Sequence, residues 1–188
     1  DAYNVAIGYT AGALVTTGIN NTLIGGLAGD ALTTGQYNVA LGYNALSAED
    51  GHGKNVAIGV NALMTQDAGT DAYNVAVGHN SGHLISTGTQ NTLIGGLAGM
   101  ALTSGGENVA IGYAALISED ANGRNVAIGK SALTNQNAGA EAYNVAVGHE
   151  AGKNITTGTY NTALGAGALS SNTNTGHRNI GIGYRAGY

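Results

Sequence analysis

One five-residue phrase, Asn-Val-Ala-Ile-Gly at residues 4–8, occurs eleven times with light variation. The copies begin at Asn4, Asn21, Asn38, Asn55, Asn74, Asn91, Asn108, Asn125, Asn144, Asn161 and Asn179, at spacings of 17, 17, 17, 19, 17, 17, 17, 19, 17 and 18 residues. No other property constrains the fold as much. Each copy marks one structural unit, and a unit of about 17 residues is too short to bury a core alone, so the units must stack. Its few large aliphatic side chains cannot offset the entropy of ordering the rest. Stacking at about 4.8 Å per strand makes the array a rod roughly 50 Å long.

The phrase reads as a short strand with period two. Its second residue is β-branched in every copy, from Val5 through Thr22 to Ile180, and its fourth is Ile, Leu or Val, from Ile7 to Ile182. These larger side chains share one face, and that face is expected to form the private core of a coil. The third residue lies on the opposite face and is Ala, except for Leu23, Leu93 and Gly181. A strand apolar on both faces is buried on both. The small third residues are therefore expected to meet another copy of the chain at close range. The repeated Asn suits a turn into the strand and a stacked amide ladder. The repeated Gly suits a positive φ or a close neighbour.

Seven residues after each Asn stands Ala, with Ser81 the exception, and after it the coils divide into two kinds. One kind has Gly next (Gly12, Gly29, Gly82, Gly99, Gly152), then an aliphatic three residues on (Val15, Leu32, Ile85, Leu102, Ile155). The other has Leu next (Leu46, Leu63, Leu116, Leu133, Leu169) and a more polar return loop. Either aliphatic is expected to fill one interior slot from a second short strand. The kinds alternate in pairs, which gives super-repeats at 1–70 and 71–140 and a partial, divergent one at 141–188, all in a single solenoid domain spanning 1–188. The divergence is at Asn161, which opens a Leu-type coil where a Gly-type coil is due.

Composition excludes several functions. The 33 Gly accompany aliphatics on a fixed period, so the chain reads as an ordered repeat and not as low complexity. A net charge of −5 leaves no basic patch for nucleic acid. Without Cys there are no disulfides, thiolate metal sites or Cys nucleophiles. No apolar run is long enough for a membrane-spanning helix, and the N-terminus does not read as a signal peptide. The chain begins and ends in mid-repeat, as a segment of a longer protein would.

The phrases Asn-Val-Ala-Ile-Gly-Tyr, Asn-Thr-Leu-Ile-Gly and Asn-Thr-Ala-Leu-Gly, followed by Ala-Gly or Ala-Leu, resemble the head repeats of trimeric autotransporter adhesins and similar repeats of bacteriophage tail fibres. The adhesin repeat is nearer fourteen residues, so the longer coil with its Thr-Gly turn looks more like the phage variant. The resemblance covers nearly the whole chain. It implies an all-β, parallel, left-handed β-roll with three chains around one axis. It also implies an extracellular place, on a virion tail fibre or a bacterial surface, and attachment to a host-cell glycan or protein through exposed loops. Those loops are 47–54, 64–73, 117–124 and 134–143, with Glu49, Asp50, His52, Asp67, Asp71, Glu119, Asp120 and Glu141 as candidate receptor-facing residues.

Other chemistry has less support. The acids of the Leu-type loops read as a solvated ridge that keeps a rod soluble. The same acids would make a cation site only if several oxygens converged, and no metal or cofactor is expected. His79 and His149 follow the repeat Gly, where a threefold axis would gather three copies of each, but Tyr9, Tyr43, Tyr113 and Tyr184 fill the same slot. There is no nucleophile elbow or phosphate loop, so no enzyme is expected. An ice-binding solenoid is the alternative of a different class, and a solenoid enzyme or small-ligand binder is a weaker one. The Thr pairs at 16–17 and 33–34 align over two rungs, and the array breaks at Asp50 and Gly51.

Overall fold

The computed structural model describes residues 2–121, 123–171 and 175–187. Within the ranges given above, residues 1, 122, 172–174 and 188 lie outside the described set. Eleven three-residue strands form, one per phrase: β1 (Val5–Ile7), β2 (Thr22–Ile24), β3 (Val39–Leu41), β4 (Val56–Ile58), β5 (Val75–Val77), β6 (Thr92–Ile94), β7 (Val109–Ile111), β8 (Val126–Ile128), β9 (Val145–Val147), β10 (Thr162–Leu164) and β11 (Ile180–Ile182). They make one parallel sheet in sequence order, each strand bonded to the next in unbroken register, as Val109 to Val126 and Ala110 to Ala127. This is a β-solenoid, and among the described residues it contains no helix.

The inside and outside of the strand are the reverse of the sequence expectation. The third residue is the core: Leu23, Ala40, Ala57, Ala76, Leu93, Ala110, Ala127 and Ala146 are all fully buried. The second and fourth residues are the outer face, with Ile7 at 59%, Leu41 at 42% and Leu164 at 45% exposure. The reason is the thinness of the coil. The interior is closed by the Ala column (Ala28, Ala45, Ala62, Ala98) and by one large aliphatic per coil from the return. Little volume is left opposite the strand, and Ala fills it. In β2 and β6, where Leu23 and Leu93 enter, the return makes room with Gly29 and Gly99. A Cβ on Gly29 would lie 2.8 Å from side-chain carbons of both Leu23 and Leu32.

The return is also not a second strand. Among the described residues it is a series of turns and bends, with Ile155 a lone bridge residue. Its curvature comes from left-handed residues three and five places after the strand ends. In the coil of β3 these are Asn44 (φ 61°) and Leu46 (φ 52°). Leu46 and Leu63 are nevertheless fully buried, so packing offsets a left-handed cost of about 1–2 kcal/mol each.

The Asn column holds rung to rung. The backbone N–H of each phrase Asn donates to the Oδ1 of the one before, at 2.8 Å for Asn91 to Asn74 and 3.0 Å for Asn108 to Asn91. The side-chain amide turns across its own coil, and that of Asn74 also reaches back to the preceding one. Asn74 Nδ2 donates to the Gly88 carbonyl at 2.7 Å and to Gln66 Oε1 at 2.6 Å, and Asn91 Nδ2 donates to the Gly105 carbonyl at 2.9 Å. Each such Asn therefore clips its coil shut and splices it to the next. Asn74→Ala removes the acceptor of a buried N–H and the donor to two buried oxygens. It is expected to destabilise the chain by about 4 kcal/mol. Asn4→Ala, on a half-buried terminal rung, should cost about 1 kcal/mol. Urea unfolding of both variants measures the difference.

Candidate functional site

Two surfaces carry the chemistry. The first is the outer face of the sheet. Its second- and fourth-position side chains run along all eleven strands, and only Thr22, Thr92 and Thr162 among them are not aliphatic. The face carries no charge. At about 4.8 Å per rung it is roughly 50 Å long and roughly 10 Å wide, near the upper end of apolar patches on soluble monomers.

Beside it runs an aromatic and cationic edge that sequence analysis missed. The residue before each phrase Asn is left-handed in every coil, including Tyr37 (φ 59°), Lys54 (φ 64°), Tyr73 (φ 54°), Arg124 (φ 63°), Tyr143 (φ 51°) and Tyr160 (φ 61°). Tyr143 and Tyr160 stack at 5.2 Å between centroids with planes 5° apart. Lys54 sits 5.0 Å over the Tyr73 ring and Arg124 sits 5.5 Å over Tyr143. The signal was present one residue before the Asn, where eight of the eleven residues are Tyr, Lys or Arg. Reading each phrase from its Asn onward hides it.

The second surface is the Leu-type return loop, and here the candidate residues separate. Asp50, Asp67 and Asp120 are exposed. Asp71 pairs with Lys54 Nζ at 2.6 Å, and Glu141 approaches Arg124 Nη1 at 3.7 Å. Lys54 holds the Asp71 carboxyl below its ordinary value. Glu49 and Glu119 are fully buried, so they are neither receptor-facing nor part of a solvated ridge. Both are the twelfth residue of their coil, counted from the phrase Asn. In Gly-type coils that column holds the core residues Leu32, Ile85, Leu102 and Ile155. In the Leu-type coils of the two super-repeats a Leu such as Leu46 or Leu116 stands at the ninth position, and the twelfth carries Glu or Gln instead. Gln66 and Gln136, the next rungs, are equally buried.

Glu49 Oε1 accepts the His52 N–H at 3.0 Å, and Glu49 Oε2 is buried without a partner. Burial pushes the carboxyl from 4.5 up to about 7, and the neighbouring Asp67, Asp50 and Asp71 carboxylates add to the rise. The folded chain thus keeps a proton that the unfolded chain releases above pH 4.5. Stability is expected to be flat below that pH, to fall as pH rises to about 7, and to level off beyond. The loss is at most about 3 kcal/mol. Urea unfolding in metal-free buffer at about pH 5 and about pH 8 should show it, and Glu49→Gln should remove it.

Among the described residues His79 is not gathered into a group of three or more potential metal ligands. His149 lines a polar cleft of about 440 Å³ with Glu150, Lys153, Tyr184 and Arg185. The Thr hydroxyls at the ends of the coils are already engaged. Thr16 Oγ1 donates to the Thr33 carbonyl, Thr33 Oγ1 to that of Asp50 and Thr103 Oγ1 to that of Asp120. Among the described residues no helix is long and apolar enough to cross a membrane. No family model matches the chain, and neither does any curated protein or solved structure.

Proposed function

We propose that the chain is a structural and adhesive segment of a homotrimeric surface fibre, on a bacteriophage tail or a bacterial surface. The observation that carries this reading is the uncharged aliphatic outer face, continuous over the whole rod. Such a face is costly to leave in water and is suited to a partner of matching period. A second copy of the same chain has that period. The number three and the extracellular setting come from the likeness of the phrases to adhesin-head and tail-fibre repeats.

Recognition of a host glycan or protein falls to the surfaces that stay exposed in such a fibre. These are the return loops, with Asp50, Asp67, Asp71, Asp120 and Glu141, joined by the ring-and-cation edge where it is not covered. Aromatic faces suit the apolar faces of sugar rings, and the carboxylates that pair with Lys54 and Arg124 accept hydrogen bonds from sugar hydroxyls. Sedimentation tests the core of the reading. A species of three times the 18.5 kDa chain mass is expected, and a single-chain species at micromolar concentration would overturn it. Binding of that species to a glycan array tests the adhesive half. Ice binding has less behind it, because Thr16, Thr33 and Thr34 of the two-rung array already donate their hydroxyls to carbonyls of the next coil.

A further inference from the structure

We propose that Glu49, Asp50, His52 and Asp67 form a site for one divalent transition-metal ion, of the Zn2+ type, at the junction of the third and fourth coils. Each of the four offers a ligand atom, and these atoms all lie within 4.8 Å of one another. A tetrahedral ion with bonds near 2.1 Å holds its ligand atoms about 3.4 Å apart, so the loop needs to close by only about an ångström. Three carboxylates this close repel one another. Lys54, the lysine of the same loop, is committed to Asp71 at 2.6 Å. The cluster therefore has a charge deficit that a dication supplies.

Burial gives an independent reason. Glu49 has no exposed side-chain surface, and its Oε2 is buried without a hydrogen-bond partner, as is Nδ1 of His52. Nδ1 stands 3.8 Å from Glu49 Oε1. Two buried polar atoms of one loop left without partners are costly unless something binds both. An imidazole nitrogen with carboxylate oxygens selects a first-row ion such as Zn2+ or Mn2+ over Ca2+, which takes oxygen ligands.

The repeat supplies the comparison. Asp50 and Asp67 are the thirteenth residues of consecutive coils, one rung apart. At the same places in the second super-repeat stand Asp120 and Asn137, and His52 corresponds to Asn122. The second loop keeps the buried Glu119 but lacks an acid and an imidazole. One ion per chain is therefore expected, not two. The site is independent of assembly and of any receptor, so it stands or falls apart from the fibre reading.

The test uses the intact chain, freed of metal by chelator and then dialysed against Zn2+, Mn2+ or Ca2+ in parallel. Bound metal is read by elemental analysis and affinity by calorimetry. Zn2+ should saturate at about one ion per chain and raise the melting temperature. Glu49→Gln should remove the ion and Asp67→Asn should weaken it at least ~10-fold, with unchanged circular dichroism. Both substitutions copy residues the solenoid already accepts in the same columns, at Gln66 and Asn137. Glu119→Gln should leave the stoichiometry alone. Failure to bind Zn2+ or Mn2+, equal binding by Asp67→Asn, or loss in Glu119→Gln would overturn the proposal. Ca2+ bound in preference to Zn2+ would overturn it too, through the role given to His52.

Discussion

Replacing Gly112 by alanine is expected to unfold the middle of the rod, at a cost of at least about 4 kcal/mol. Gly112 follows β7 and has φ +131°, a conformation that side chains rarely adopt. A Cβ there would also lie 2.6 Å from both the carbonyl carbon and oxygen of Gly129 on the next rung. Backbone cannot move aside without breaking the register on which the following coils depend. The two causes can be separated within the chain. Gly183 has φ +118° and nothing within 4 Å of the added Cβ. Gly183→Ala should therefore cost only the conformational part, about 1–3 kcal/mol. Gly69, at φ +66° and open to space, lies in the left-handed region that Asn tolerates, and Gly69→Asn should cost under about 1 kcal/mol. Urea midpoints for the three variants should fall in that order. A Gly112→Ala chain as stable as Gly183→Ala would show that the glycine column does not serve close approach.

Much of this architecture was legible because it is periodic. Eleven copies of one phrase force a parallel stack in register, and Val109 over Val126 is the pairing that a 17-residue step requires. The Asn and Gly columns were legible in kind, since a residue repeated on every rung acts between rungs. What period two cannot decide is which face is inside. Val and Ile are larger than Ala, and hydrophobicity alone sends the larger residues inward. The thin cross-section of the coil decides otherwise, and that thickness depends on how the return bends, at left-handed residues such as Leu46. The same gap hid Glu49. In sequence it sits among acids in a polar loop. Aligning the twelfth residue of every coil, so that Glu49 falls under Leu32, would have marked it as an inward position. The clustering of Asp50 with Asp67 needs the register as well as the loop.

The inverted faces give the experiment with the most decisive pair of outcomes. Ile111→Lys and Ala110→Lys place the same charge on neighbouring residues of β7. Ala110 is fully buried in the coil, where an unpaired ammonium has no partner and no water. Ala110→Lys should cost more than about 4 kcal/mol and leave the chain unfolded or aggregated. Ile111 stands half-exposed on the outer face. Ile111→Lys should alter the stability of a single chain by less than about 1 kcal/mol. In the proposed trimer the same lysine would be buried against a partner in three symmetry-related copies. Desolvation of three unpaired charges should weaken assembly by at least about 5 kcal/mol, more than a thousandfold. The expected species is folded by circular dichroism and sediments as one chain. Assembly left intact in Ile111→Lys would move the fibre contact off this face. Unfolding in Ile111→Lys with tolerance in Ala110→Lys would restore the larger residues to the interior. The outer face thus carries the case for a partner that the small third-position residues were expected to carry. Its side chains are larger than Ala, so the area available for burial is greater than the sequence reading assumed.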